Sequence, residues 1–120
     1  MKRPEVKQVS SIDFNDVSEI DDVDDCMVFV TFGIGPPGSE GADNFELRIA
    51  TVSWVSKNLP LWGMHGPFRH PTLVVERFDW DVVDAAVEAR IDEVLEYSEN
   101  WIDFARTFGG WEYLNGEDAE

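Results

Sequence analysis

The chain has 120 residues and a formal net charge of −16, with 25 acidic side chains against nine basic ones. That length fits one domain with a single core, and 43% hydrophobic residues, among them eight Phe and five Trp, exclude a disordered polyanion. So acidic a composition also excludes nucleic-acid binding through phosphates, which needs a basic patch, and favours a basic partner, whose encounter complementary charge accelerates.

The N-terminus MKRPEVKQVS lacks the apolar segment of a secretory signal. No apolar run reaches the roughly 18 residues that cross a bilayer, so a cytoplasmic protein without a membrane partner is expected. Residues 5–12 (EVKQVSSI) read as a short strand. DFNDVSEIDDVDD (13–25) follows, with seven acids and no base. Like charges this close repel one another, so the stretch is either a solvated, mobile loop or a surface wanted by something outside the chain. Cys26, the lone cysteine, rules out an internal disulfide and heads an apolar run, as a buried thiol does.

CMVFVTFGIG (26–35) has the strongest strand pattern, with Val28, Val30, Phe32 and Ile34 on one face and Met27, Phe29 and Thr31 on the other. PPGSEGADN (36–44) is dense in turn formers. NFELRIAT (44–51) then alternates, Phe45, Leu47 and Ile49 in and Glu46 and Arg48 out, which completes a hairpin with a long loop. Ser53 is placed to cap a short helix, SWVSKNL, that Pro60 ends. PLWGMHGPFRHP (60–71) reads as an irregular loop and PTLVVERF (71–78) as a strand.

Asp79 is expected to cap a helix from Trp80 to Tyr97, with Trp80, Val83, Val87, Ile91 and Val94 on its apolar side. Ser98 is expected to open a second helix, ENWIDFARTF, closed by the Gly109-Gly110 stop. WEYL (111–114) would be a last short strand and 115–120 a frayed tail. Strands first and helices late predict an α+β fold for the single domain 1–120. Its antiparallel sheet of four to five strands would carry two C-terminal helices on one face.

Chemistry-bearing patterns are sparse. His65 and His70, the only histidines, share one loop at a spacing that matches no common metal motif. Gly33-Ile34-Gly35 lacks the third glycine and the following helix of a dinucleotide fingerprint. Asp21, Asp22, Asp24 and Asp25 lack the alternation, central glycine and closing Glu of an EF-hand loop. No G-x-S-x-G elbow occurs. Neither a catalytic residue, a cofactor nor a metal is therefore expected.

Charge is the informative feature. Segment 13–25 carries −7, and segment 79–103, with nine acids against Arg90, carries −8; together these are −15 of the −16. At about 100° per residue, Asp81, Asp84, Glu88, Asp92, Glu96 and Glu99 form one stripe on the first long helix, well round from its apolar seam. Such a stripe is either a solvated face that confers solubility or one half of an electrostatic docking surface. Two acidic blocks in one domain favour docking. On that basis Asp21, Asp22, Asp24 and Asp25, with Asp84, Glu88, Asp92 and Glu96, are the expected partner contacts. Trp62, in a Gly/Pro loop with Met64 and Phe68, either tucks over the core or anchors a contact, as exposed Trp does at interfaces; it joins the candidates. Trp101, Phe104, Phe108 and Trp111 read as core.

Several stretches in order carry a resemblance: FGIGPPGSEGADNFEL with Gly35, Gly41, Asp43 and Phe45; TVSWV with Trp54; HPTLVVERFD; and NW…WEY with Trp101, Trp111 and Glu112. Across residues 32 to 113 the chain resembles the immunity protein 8 family of bacterial polymorphic toxin systems. It departs from that family at 55–70, a longer loop, so nothing is carried over to Trp62, His65 or His70. The resemblance implies a non-enzymatic protein that binds and neutralises a cognate toxin domain made by the same cell. It also implies that Trp54, Trp101, Trp111 and Glu112 determine the fold. A toxin that attacks nucleic acid would present a basic cleft for the acidic blocks. The alternatives are an acidic DNA mimic that inhibits a DNA-binding protein, or a small enzyme using the 60–71 loop.

Overall fold

Alternating apolar residues make the second and third strands the centre of the molecule. In the computed structural model, which describes residues 1–58 and 71–118 and side chains as far as residue 109, β1 spans Glu5–Ser11, β2 Met27–Gly35, β3 Asp43–Thr51 and β4 Thr72–Val75. The sheet order is β1-β2-β3-β4. Val30, Ile34 and Ile49 lose all solvent exposure on one face, each burial contributing about 1.5–3 kcal/mol against an exposed side chain. The fold is the expected α+β one, with four strands among the described residues.

The last pairing differs from the expected antiparallel sheet. β1–β2 and β2–β3 are antiparallel, but β4 runs parallel to β3, with Ile49 beside Leu73 and Thr51 beside Val75. A parallel neighbour needs a crossover of about a dozen residues or more, and the chain between 51 and 72 provides it. Helix α1, Val52–Lys57, begins that crossover. Its cap is Thr51, not Ser53: the Thr51 hydroxyl accepts from the Trp54 amide at 3.2 Å and from the Cys26 amide at 3.0 Å. The same hydroxyl therefore starts the helix and pins the head of β2. Expectations for Pro60 and for the 60–71 loop, with Trp62, His65 and His70, lie outside the described residues. The strand expected over 71–78 is shorter, Thr72–Val75.

The β2–β3 loop depends on two glycines. Gly38 has φ +77°, a left-handed conformation suited to glycine. At Gly35 a Cβ would stand 2.2 Å from the Gly41 carbonyl oxygen, so the loop folds back onto a residue that must lack a side chain. Lys7, at a bulge in β1, closes the loop by donating to the carbonyls of Ser39 and Gly41. Arg48, expected outward, is only 4% exposed, and Ala50 beyond it is fully buried. The sheet is thus covered on both faces at this point of β3.

Helix α2, Trp80–Leu95, starts at Asp79, whose carboxylate accepts from the Asp81 amide at 2.9 Å. Val83, Val87, Ile91 and Val94 are its buried seam, as their spacing predicts. It ends two residues earlier than expected, and Ser98 closes it instead of opening the next helix: the Ser98 hydroxyl donates to the Val94 carbonyl at 2.7 Å. Asn100 caps α3, accepting from the Asp103 amide at 3.0 Å. Helix α3 spans Trp101–Asp118 and runs straight through Gly109-Gly110, so neither the glycine stop nor the strand at 111–114 forms. Two interior glycines cost a helix roughly 1 kcal/mol each. Packing of the preceding turns offsets that cost: Phe104 and Ala105 are fully buried, and Phe108 meets Phe45 edge-on at 5.1 Å.

Candidate functional site

The acidic segment is built into the fold. Phe14, Val17, Ile20 and Val23, every third residue of 13–25, turn toward the core. Phe14 is buried against Phe78, with ring centroids 5.5 Å apart, and against Trp80 at 5.9 Å. The Val23 carbonyl accepts from the Phe78 amide at 2.7 Å. These contacts fasten the segment beside the start of α2.

Most of its carboxylates have local work. Asp13 accepts from the Phe29 amide of β2 at 2.7 Å. Asp16 caps a single 3₁₀ turn, Val17–Glu19, and Glu19 reaches back to the amides of Asp16 and Asn15, a complete capping box. The bond from Ser18 holds the Asp16 carboxyl below its usual pKa. Asp22 accepts from the Asp24 amide at 2.9 Å. Of the four residues singled out here, Asp24 lies 3.4 Å from Arg77 and Asp25 lies 2.5 Å from Lys57. The Asp25 carboxylate raises the Lys57 pKa. Asp21 is exposed and has no basic partner among the described residues. Behind the segment, Cys26 is half-buried, its thiol pKa raised by burial and then by Asp22, Asp25 and Asp24, which makes it a poor nucleophile.

The stripe on α2 is also partly neutralised. Arg3, ahead of β1, crosses to the helix and pairs with both Glu88 and Asp92, its Nε standing 2.8 Å from Asp92 Oδ1. These carboxylates, Asp92 foremost, raise the Arg3 pKa. Asp84 and Glu96 have no basic partner among the described residues. Desolvation, then the charges of Asp81 and Glu88, lift the Asp84 carboxyl above its ordinary pKa. Segment and helix adjoin through Phe14–Trp80 and Val23–Phe78, so the acidic segment meets the start of α2. Asp21, Asp22, Asp84 and Glu96 are the candidate contacts without an ion pair to a base among the described residues, Asp22 accepting instead from the Asp24 amide. Arg3, Arg77 and Lys57 are the residues the sequence reading missed. Single bases far from the acids in sequence carry no local signal of pairing. The three-residue apolar spacing and the Asp16-x-x-Glu19 box did carry one.

The described residues hold no group of three His, Cys, Asp or Glu side chains placed to bind a metal ion. No helix among them is long and apolar enough to cross a membrane.

Stretches named for the family resemblance meet in space. Trp101 Nε1 donates to Asp43 Oδ2 at 2.8 Å, joining the first turn of α3 to the start of β3. Trp101 also stacks on Phe104 at 5.4 Å, and Gly35 packs against Gly41. Comparison with curated proteins and with solved structures gave no match. Comparison with protein families matched immunity protein 8 over residues 5–115, from the first strand into the last helix. A match over nearly the whole chain shows that the chain belongs to the immunity protein 8 family.

Proposed function

We propose that this protein is a non-enzymatic immunity protein of the cytoplasm, which neutralises a cognate bacterial toxin by binding it. The observation that carries the proposal is the family match over residues 5–115. Charge supports a basic toxin surface as the target: −15 of the net −16 lies in two segments, which meet at the start of α2. Asp21, Asp84 and Glu96 are the leading contacts. Asp22, Asp24, Asp25, Glu88 and Asp92 contribute field while bonded within the chain. Such a surface raises the association rate more than it deepens affinity, and its effect fades as salt shortens the Debye length from about 10 Å at 0.1 M to about 3 Å at 1 M. The proposed contact at Trp62 lies outside the described residues.

The test uses the product of the adjacent reading frame, its C-terminal domain made catalytically dead, titrated calorimetrically at low and high salt. Nanomolar binding that weakens steeply with salt is expected. Lysine at Asp21, Asp84 and Glu96 together should reduce the association rate by about ten-fold or more, within the range that electrostatic steering spans. Binding that ignores both salt and the three reversals would remove the acidic blocks from the interface. No binding to the neighbouring product would overturn the proposed partner.

A further inference from the structure

The cation seated on the α2 stripe comes from the first residues of the chain. The Arg3 guanidinium bridges Glu88 and Asp92, one turn apart: Nε lies 2.8 Å from Asp92 Oδ1, and a terminal nitrogen bonds the Glu88 carboxylate and lies 3.4 Å from the Glu88 carbonyl. Asp84, one turn before, and Glu96, one turn after, have no basic partner among the described residues. At 1.5 Å per residue the four carboxylates succeed one another at steps of about 6 Å. One internal cation thus fills the centre of the run and leaves both ends open. The segment that carries it is lightly held. Met1, Lys2 and Arg3 are exposed and precede β1, whereas Pro4 is fully buried and fixes the point from which they depart. All three members of the bridge face water, the side chains of Arg3, Glu88 and Asp92 being 41%, 46% and 65% exposed. Ion pairs this exposed add little to stability, so opening the bridge costs the fold little. Against a basic surface the seated guanidinium is a like charge in the middle of the stripe, and it opposes docking there until it leaves.

We infer that Arg3 is an autoinhibitory contact, which covers Glu88 and Asp92 in the free protein and is displaced when an arginine of the toxin takes both carboxylates. The inference rests on the immunity function proposed above and deepens it, because it names the toxin group and its place on α2. Two carboxylates one turn apart, bridged by one planar fork of donors, are the complement of a guanidinium more than of a point-like ammonium. The exchange conserves the ion pairs on α2: the toxin's guanidinium replaces that of Arg3, which returns to water. Neither carboxylate is buried bare in the complex, the outcome that would cost most. Asp84 and Glu96 meet the toxin first, and the centre of the stripe engages afterwards.

Arg3→Ala and Lys2→Ala remove the same charge from adjacent positions, and Lys2 makes no ion pair among the described residues. Thermal unfolding checks that each variant folds, and calorimetry with the inactive toxin domain reads affinity. Arg3→Ala is expected to bind about five-fold more tightly than Lys2→Ala, the factor that exposed ion pairs are worth. That gain should vanish when Glu88→Gln and Asp92→Asn are added to both variants. In the wild type, nitrogen-15 NMR of the Arg3 Nε–H follows displacement directly. Saturating toxin should move its signal to the position it takes in free Asp92→Asn. Equal affinities of Arg3→Ala and Lys2→Ala, or an Arg3 signal that saturating toxin leaves in place, overturn the inference and leave the immunity function standing. A gain that survives Glu88→Gln and Asp92→Asn overturns it too, since net charge alone would then account for it. Weaker binding by Arg3→Ala overturns it by making Arg3 itself a contact. Failure of the wild type to bind overturns both readings.

Discussion

At the scale of single residues, one hydrogen bond and one missing side chain hold distant parts of the chain together. Trp101 and Asp43 are 58 positions apart, and their 2.8 Å bond ties α3 to the hairpin. Trp101→Phe keeps most of the stacking on Phe104 but removes the donor, so it should cost about 1.5–3 kcal/mol, the range for a bond to a charged group. A lower denaturant midpoint at unchanged m-value would show it. Gly35→Ala places a methyl 2.2 Å from the Gly41 oxygen, a backbone atom that moves only with its loop. Overpacking of this kind costs about 1–3 kcal/mol, and a midpoint equal to wild type would mean that the loop yields freely. Gly35 and Trp101 were both legible as landmarks in the sequence. The bond that makes Trp101 structural was not, because its acceptor is set by tertiary placement.

At the scale of elements, the acidic segment behaves as an anchored strap. Phe14→Ala should destabilise the fold by about 3–5 kcal/mol, the usual cost of deleting a buried Phe, and amide exchange should speed up through 13–25 first. Exchange rates unchanged there would show that the strap is held by its carboxylates alone. On α2 the sign of the pH effect follows from Asp84. Its pKa is raised in the folded state from an ordinary 3.8, by desolvation first and then by Asp81 and Glu88. The native state therefore binds a proton more readily than the unfolded chain, and stability falls as pH rises from the ordinary value through the raised one. Asp84→Asn is expected to raise the melting temperature at neutral pH and to leave it unchanged below the ordinary Asp range. An equal gain at both pH values would assign the effect to shape and not to charge. Helix α2 was readable from its spacing because both cap and seam are local. The passage of α3 through Gly109-Gly110 was not, since packing of Phe104 and Phe108 outweighs a local stop signal.

At the scale of the molecule, a net charge of −16 on 120 residues opposes compaction. Carboxylate bonds to backbone amides and pairs with Arg3, Lys57 and Arg77 relieve it only in part. Added monovalent salt should therefore raise the thermal midpoint by several degrees between about 0.01 M and 0.15 M, as the Debye length falls from about 30 Å to about 8 Å. A midpoint that falls with salt would mean that the internal ion pairs outweigh the repulsion. The same salt should weaken toxin binding, so stability and affinity are expected to move in opposite directions.

By itself the sequence determined the α+β class, the core faces of β2 and α2, the acidic bias and the family resemblance. Each of these depends on neighbours along the chain or on composition. Only the tertiary structure decided that β4 pairs in parallel with β3, that Arg48 is buried, and that Arg3 sits on Glu88 and Asp92. It also turned an acidic run into a strap held by Phe14 and by backbone amides. These outcomes depend on which distant surfaces meet, and charge or periodicity along one segment carries no record of its partner.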